Sequence, residues 1–159
     1  MELTVRHARI EDIPRMQELF SAARAHMRAE GNLTQWKDYP SDALLKDDIS
    51  KQQSYVILDG EDIAGTFVFM TGEEPTYAVI EDGAWLNDEP YGTIHRIASR
   101  GKGVFSAALE FCKSRCSHIR VDTHADNKPM QHLAEKHGFS RRGIIYVADG
   151  TPRIAYDLL

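Results

Sequence analysis

Cysteine and long hydrophobic runs are scarce in this sequence. Its 159 residues include two cysteines, Cys112 and Cys116, and their spacing on one predicted helix suits neither a disulfide nor the two-residue gap of common zinc and redox motifs. No apolar run approaches the roughly 20 residues that span a membrane, and the first residues lack the apolar core of a signal peptide. We therefore expect two ordinary core or boundary thiols, a cytoplasmic location and no membrane partner.

An excess of positive charge is missing as well. The chain has 19 Lys and Arg against 24 Asp and Glu, a formal net charge of -5 at pH 7, whereas broad nucleic-acid binding needs a strongly basic face. This balance argues against a nucleic-acid partner and is compatible with a cationic substrate. The hydrophobic share of 42% and the charged share of 27% are ordinary for a globular protein. We expect residues 1–159 to form one domain with its own hydrophobic core.

Two common nucleotide-binding motifs are also missing. The chain contains no G-x-x-x-x-G-K-[ST], and the pattern G-x-G-x-x-G fails at its last position after Gly101-Lys102-Gly103. Asp122 and His124 lie on one predicted strand, but no further metal ligands follow at a recognisable spacing. We therefore expect neither an ATP or dinucleotide loop nor a metal site.

What the sequence does contain is an alternation of β-rich and helical segments. Runs rich in β-branched and aromatic residues predict strands at residues 4–8, 55–58, 63–70, 93–99, 119–123, 143–148 and 153–158. Apolar residues at helical spacing predict helices within residues 13–23, 44–49, 104–111 and 130–134. We expect Asp12 to cap the first helix, Gly138 to end the last, and Asp59-Gly60 to turn an antiparallel hairpin. Strand, helix, strand, helix, strand is an α/β order.

The most informative segment is the basic, glycine-bearing loop between a predicted strand and helix in the second half. It runs from Arg100 to Gly103, between strand residue Ile97 and helix residue Phe105. Glycines let the backbone bend and approach a ligand closely, and the N–H groups at a helix start point at an anion. The helix dipole adds roughly half a positive charge there. The loop is therefore predicted to bind phosphate.

This region resembles the diphosphate loop of the GNAT superfamily of acyl-CoA-dependent N-acetyltransferases. The family pattern is [Q/R]-x-x-G-x-[G/A], which the chain matches at Arg100 and Gly103, with Phe105 where a small residue is usual. Asn127 and Gly138-Phe139 resemble the Asn…Gly-Phe segment around the family's fourth helix. The strings that resemble a group of small bacterial members are Gln35-Trp36…Tyr39-Pro40, His95-Arg96-Ile97-Ala98, Asp122-Thr123-His124…Asn127 and Arg153-Ile154-Ala155-Tyr156.

The resemblance runs from about Val5 to the C-terminus, and it implies a fold and a reaction. The implied fold is α/β (α+β), with a central, mixed, mostly antiparallel sheet flanked by helices. The implied reaction transfers the acetyl group of acetyl-CoA to a primary amine of a small molecule or peptide, by direct attack in a ternary complex. Homodimers are common in such families. The residues that the resemblance assigns to the cofactor are Ile97, Ala98, Ser99, Arg100, Gly101, Lys102, Gly103, Val104, Phe105 and Asn127.

Such a reaction needs a general base, because an amine attacks a thioester only in its neutral form. We expect His95 to be that base, since it shares a predicted strand face with Thr93 and Ile97 and histidine titrates near neutrality. Its strand also resembles the His-x-His-x-Leu-Ala-Val strand of the arylalkylamine members, of which it keeps the second His. The alternative is a structural histidine, hydrogen-bonded in the core.

A general acid for the leaving thiolate is harder to assign. Many family members carry a Tyr seven residues after the fourth-helix Asn, where this chain has Ala134. Tyr146 is our candidate. The alternatives are that Tyr146 is an ordinary strand residue, that the thiolate leaves without a dedicated acid, or that the protein catalyses poorly. Asn127 likewise has two compatible interpretations, a helix N-cap and a contact to the cofactor arm.

The acceptor pocket is expected between the first two helices and the loop carrying Trp85. The candidate wall residues are the aromatic side chains Trp36, Tyr39, Tyr77 and Trp85, and Glu81 or Asp82 could attract an ammonium group. Two rival hypotheses stay open. One is a non-catalytic CoA-binding module of the same fold, and the other is a different α/β protein whose basic loop binds another anion.

Overall fold

The computed structural model describes residues 3–29, 40–101, 103–148 and 150–158. Within these ranges the chain forms seven strands and four α-helices. The strands are β1 Leu3–His7, β2 Ser54–Asp59, β3 Asp62–Thr71, β4 Gly92–Ser99, β5 Ile119–Thr123, β6 Ser140–Tyr146 and β7 Pro152–Leu158. The helices are α1 Ile13–Ala29, α2 Asp42–Ser50, α3 Val104–Lys113 and α4 Lys128–Lys136. No helix in this part of the chain is long and apolar enough to cross a membrane.

All seven strands join one sheet in the order β1-β2-β3-β4-β5-β7-β6. Every neighbouring pair is antiparallel except β4 and β5, which are parallel. The predicted hairpin is β2–β3, whose turn residue Gly60 has a φ of 64°, a conformation that glycine adopts without strain. The prediction of a mixed, mostly antiparallel sheet flanked by helices is confirmed.

Helices cover both faces of this sheet, because each face presents a continuous set of apolar side chains. The core on the α3 and α4 face is built from Phe67, Ile94, Val104, Ala108, Val121 and Ala134, among others. The core on the α1 and α2 face is built from Met16, Phe20, Leu45, Val56 and Ala98, among others. Cys112 lies in the first core, where burial raises the pKa of its thiol to about 12, and both cysteines are free.

Two local predictions were wrong. Asp12 does not cap α1 but ends a short 3₁₀ turn, where its carboxylate accepts the N–H of Arg9 at 2.8 Å and pairs with Arg6 at 2.7 Å. Strand β6 begins at Ser140 and ends at Tyr146, rather than spanning residues 143–148. Its pairing with β7 starts at Ser140 and continues across a register shift between Arg141 and Gly143. The predicted end of α4 at Gly138 is confirmed by its φ of 92°.

Candidate active site

Strands β4 and β5 separate after a very short parallel pairing. They pair only at Gly92 with Ile119 and at Thr93 with Arg120. β4 then continues along β3 to Ser99, while β5 continues along β7. Beyond Thr93, the described part of β4 therefore has no strand partner on its β5 side. We call this gap, between residues 94–99 and 121–123, the β4–β5 opening.

A β-bulge lies in β4 at this opening. In the β3–β4 ladder, Val68 pairs with His95 and Thr66 pairs with Ala98, so two residues of β4 face one residue of β3. Arg96, which follows His95, has a φ of 48°, in the left-handed region that residues with a Cβ rarely adopt.

The bulge corrects our prediction about the face on which His95 lies. His95 and Thr93 share a face, as the regular ladder between Thr93 and His95 requires. Ile97 instead packs against the core on the α3 and α4 face, which also contains Ile94. The expectation that His95 and Ile97 share a face is therefore wrong, because the extra residue reverses the alternation of side chains.

A carboxylate lies next to His95. The Nε2 atom of His95 is 3.5 Å from Oε2 of Glu74, and the two side chains are 20% and 16% exposed. The hydroxyl of Thr76 donates to the other carboxylate oxygen of Glu74 at 2.9 Å, and the Glu74 N–H donates to the hydroxyl of Tyr91 at 2.8 Å. The contact with His95 lowers the pKa of Glu74 below its ordinary value, so Glu74 is a fixed anion beside the imidazole at neutral pH.

A second carboxylate approaches the same site from β5. The hydroxyl of Tyr77 donates to Oδ2 of Asp122 at 2.7 Å, and the ring centroid of Tyr77 is 6.4 Å from that of His95. Burial, aided by the charge of Asp122, raises the pKa of Tyr77 well above its ordinary value. Burial also raises the pKa of Asp122, and the neighbouring His95 opposes that shift. His95, Glu74, Tyr77 and Asp122 therefore form one electrostatic cluster, which we call the His95 cluster.

Two of the four predicted pocket residues contact each other. The indole N–H of Trp85 donates to the carbonyl of Tyr77 at 2.9 Å, and their rings are 5.1 Å apart. Arg120 lies over the rings of Trp85 and Tyr91, at 4.1 Å and 3.9 Å, and burial lowers its pKa. Tyr77 is only 2% exposed. The other two candidates, Trp36 and Tyr39, lie outside the described residues.

The glycine-bearing loop lies directly beyond the bulge, between β4 and α3. Gly101 and Gly103 have φ values of 87° and 81°, and Gly103 occupies the N-cap of α3. The first helical bond runs from the N–H of Ala107 to the carbonyl of Gly103 at 3.0 Å, so the preceding N–H groups of the helix start have no helical carbonyl to bind. The side chains of Val104 and Phe105 are buried, which leaves their backbone as the group that can meet a ligand. Lys102 lies outside the described residues.

Arg100 is engaged within the protein. Its N–H donates to the carbonyl of Ala64 at 2.8 Å, and its guanidinium forms an ion pair with Asp62. The pair is exposed, and exposed ion pairs contribute little stability. Arg100 would have to exchange this carboxylate for a phosphate, and its predicted role at the diphosphate stays a prediction.

Asn127 caps α4, as one of its two interpretations requires. Its side-chain oxygen accepts the N–H of Met130 at 3.2 Å. Because the cap uses the amide oxygen, a contact to the cofactor arm would fall to the amide nitrogen.

Comparison with known proteins decides the family. The sequence matches the acetyltransferase (GNAT) domain over residues 2–140. The crystal structure of a GNAT-family acetyltransferase from Streptococcus agalactiae 2603 has a TM-score of 0.90 and 30% sequence identity, covering 99% of this chain and 95% of that chain. The chain belongs to the GNAT acetyltransferase family. The predicted family is thus confirmed.

More distant solved structures share the fold. A GNAT-family acetyltransferase from Listeria monocytogenes 4b F2365 has a TM-score of 0.69 at 19% identity, covering 99% of this chain and 94% of that one. Arabidopsis thaliana Naa50, solved in complex with the bisubstrate analogue CoA-Ac-MVNAL, has a TM-score of 0.64 at 14% identity, covering 100% and 99%. No curated protein sequence matches this GNAT acetyltransferase.

The predicted general acid, Tyr146, is bound to a carboxylate in this acetyltransferase. Its hydroxyl donates to Oε2 of Glu81 at 3.0 Å, and this bond raises the pKa of the phenol. A raised pKa makes a phenol a weaker proton donor. Tyr146 as general acid stays a prediction.

Ala134, at the position where the resemblance implies a Tyr, is completely buried in the core on the α3 and α4 face. We expect Ala134→Tyr to destabilise the protein by about 1–3 kcal/mol through overpacking, which lowers the melting temperature by roughly 2–4 °C per kcal/mol. Thermal unfolding measures this, with the exposed neighbour His132→Tyr as the control. A variant that melts like the wild type would show that α4 leaves room for a tyrosine at position 134.

Sequence inspection missed two acidic residues of the His95 cluster. Glu74 lies in a segment with no periodicity, and the sequence indicates Asp122 only as a candidate metal ligand and as part of a string that carries the family resemblance. Among the residues that the structure describes, no group of three or more His, Cys, Asp or Glu side chains could hold a metal ion. The Nδ1 atom of His124, the other residue considered as a metal ligand, instead accepts the N–H of Asp126 at 3.0 Å.

Proposed function

We propose that this GNAT acetyltransferase transfers the acetyl group of acetyl-CoA to a primary amine of a small molecule or peptide, by direct attack in a ternary complex. The observation that supports this best is the β4–β5 opening, with His95 at its start and the loop from Arg100 to Gly103 at its end. Strand β4 thereby leads from His95, the proposed proton acceptor, to the loop that is predicted to bind the diphosphate.

The residues at the opening suit a CoA thioester. The β5-facing edge of β4 offers backbone groups to the amides of the pantetheine arm, and the N–H groups that start α3 suit the diphosphate. The hydroxyl of Thr123, at the end of β5, is buried without a partner among the described residues, and buried hydroxyls normally have one. A bound arm would supply that partner.

We assign His95 the role of general base. An amine arrives largely as an ammonium ion, and the imidazole of His95 removes its proton so that the lone pair attacks the thioester carbonyl. Glu74, 3.5 Å away, stabilises the imidazolium that results. N–H groups on the β5-facing edge of β4 would stabilise the negative charge that develops on the carbonyl oxygen.

The acceptor is proposed to be a cation before it reacts. The carboxylates of Glu74 and Asp122 lie near the proposed base, His95. Their negative charge would attract an ammonium group. A peptide amine is supported by Naa50, whose bound analogue joins CoA to an acetylated peptide. A small-molecule amine is the other acceptor class.

A non-catalytic CoA-binding module is the second candidate, favoured by the alanine at position 134. Two measurements separate the hypotheses. Calorimetry tests acetyl-CoA binding, and a thiol-release assay tests turnover over a broad panel of amines and short peptides. Binding with release is the expected result. Binding without release across the panel would favour the module, and absence of acetyl-CoA binding would contradict both.

A further inference from the structure

The bulge of β4 places a residue with a side chain in a conformation that such residues rarely adopt. Arg96 has a φ of 48°. Glycine takes this conformation without strain, whereas a Cβ crowds the following carbonyl. Strained residues of this kind persist only when their surroundings hold them.

A buried carboxylate from α2 holds the Arg96 side chain at two points. The Nε atom of Arg96 donates to Oδ2 of Asp48 at 2.9 Å, and one terminal nitrogen donates to Oδ1 at 2.8 Å. The Asp48 side chain is 4% exposed and that of Arg96 is 13% exposed. A bidentate pair of this kind fixes direction as well as distance.

Stability alone does not explain this pair. Helix α2 is already anchored by Leu45, which is fully buried in the core on the α1 and α2 face, and Ser41 caps its N-terminus. Burying a charged carboxylate is costly, and an apolar residue of similar volume often stabilises a protein as well or better. We therefore expect the pair to fix a backbone geometry, that of the β4 bulge.

We propose that Asp48 and Arg96 are positioning residues, whose ion pair holds the β4 bulge in place beside the β4–β5 opening. The inference rests on the proposed acetyl transfer for its effect on activity. Arg96 follows the proposed base, His95, directly, and Ala98 resumes the regular ladder with Thr66. If the bulge relaxed into a regular strand, the residues beyond it would exchange faces. The backbone groups offered to the thioester would then shift as well.

Three variants distinguish the effect of the Arg96 guanidinium from the effect of the backbone conformation at residue 96. Arg96→Ala removes the guanidinium and keeps the strain of a Cβ, Arg96→Gly removes both, and Asp48→Asn keeps the shape of the partner but removes its charge. Asp47→Asn is the matched control, because Asp47 precedes Asp48 on α2 and forms an exposed pair with Lys51 at 2.8 Å.

The first readout is hydrogen exchange of the backbone amides of residues 94–98, without any ligand. We expect exchange at least about tenfold faster in Arg96→Ala and Asp48→Asn than in the wild type, with β2 unchanged. Asp47→Asn should exchange within about threefold of the wild type. Arg96→Gly should exchange at least about threefold slower than Arg96→Ala, because both Arg96 variants leave the Asp48 carboxylate without the guanidinium and only glycine adopts the bulge conformation unaided. Unchanged exchange in Arg96→Ala and Asp48→Asn would overturn the proposal, and so would a uniform increase along the whole chain.

The second readout is turnover. In Arg96→Ala and Asp48→Asn we expect kcat to fall by about tenfold while the Kd for CoA, measured by calorimetry, stays within about threefold. Arg96→Gly should recover most of the lost kcat. A glycine variant as slow as the alanine variant would overturn the positioning role. A wild type without turnover would contradict the proposed function alone, because the exchange experiment still decides whether the pair holds the bulge. If Arg96→Ala does not fold, Asp48→Asn and Arg96→Gly carry the same comparison.

Discussion

Replacing His95 by alanine is expected to lower kcat by at least about tenfold while the Kd for CoA stays within about twofold. The imidazole lies at the start of the β4–β5 opening, and its loss removes the proposed general base. The loop that is predicted to bind the diphosphate lies at the other end of β4, and we expect it to keep its backbone geometry. Initial rates at saturating acetyl-CoA and amine, together with calorimetry of CoA, measure the two quantities separately.

Two further variants sharpen this experiment. His95→Gln keeps a polar side chain beside Glu74 but cannot accept a proton at neutral pH, and we expect it to be as slow as His95→Ala. His26→Ala removes an exposed histidine from the last turn of α1 and should turn over like the wild type. A His95 variant with wild-type kcat would exclude His95 as the base, and restored activity in His95→Gln alone would point to a structural histidine.

Local sequence signals were sufficient for much of this fold. The Asp59-Gly60 turn, the apolar stripe of α3 and the left-handed residue Gly138 each depend on neighbours within a few positions, and the structure contains all three. The loop between β4 and α3 and the cap at Asn127 are equally local. The order of these elements, more than any single motif, carried the resemblance to the family.

The arrangement of the site depends on contacts between residues far apart in the sequence. In a regular strand, His95 and Ile97 would lie on one face. The bulge puts them on opposite faces, and the contact that holds it comes from Asp48 on α2, far away in the sequence. Glu74 reaches His95 from a segment with no periodic pattern. A bulge has no reliable signature in a single sequence when its left-handed residue is an arginine rather than a glycine. The base could therefore be proposed from the sequence, whereas its partners required the structure.

Gly103→Leu is expected to weaken CoA binding by about tenfold or more, which corresponds to at least about 1.4 kcal/mol. Gly103 has a φ of 81°, and a Cβ added there would meet nothing closer than Leu3 at 4.0 Å. A Cβ is thus accommodated, and we expect the rest of the leucine to occupy the space over the N–H groups that start α3. Calorimetry of CoA with the variant and the wild type measures the loss.

The left-handed conformation also strains any residue that replaces Gly103, by roughly 1–2 kcal/mol, so lost stability must be separated from lost binding. Gly150→Leu is the matched control, because Gly150 has a φ of 84° with open space around it and lies in the turn between β6 and β7. Both variants should melt at similarly lowered temperatures, and only Gly103→Leu should lose CoA affinity. Equal CoA affinity in the two variants would show that the diphosphate does not approach the backbone at Gly103. A loss in Gly103→Leu alone would assign the binding to the bend of this loop and its N–H groups, rather than to the charge of Arg100, which already faces Asp62.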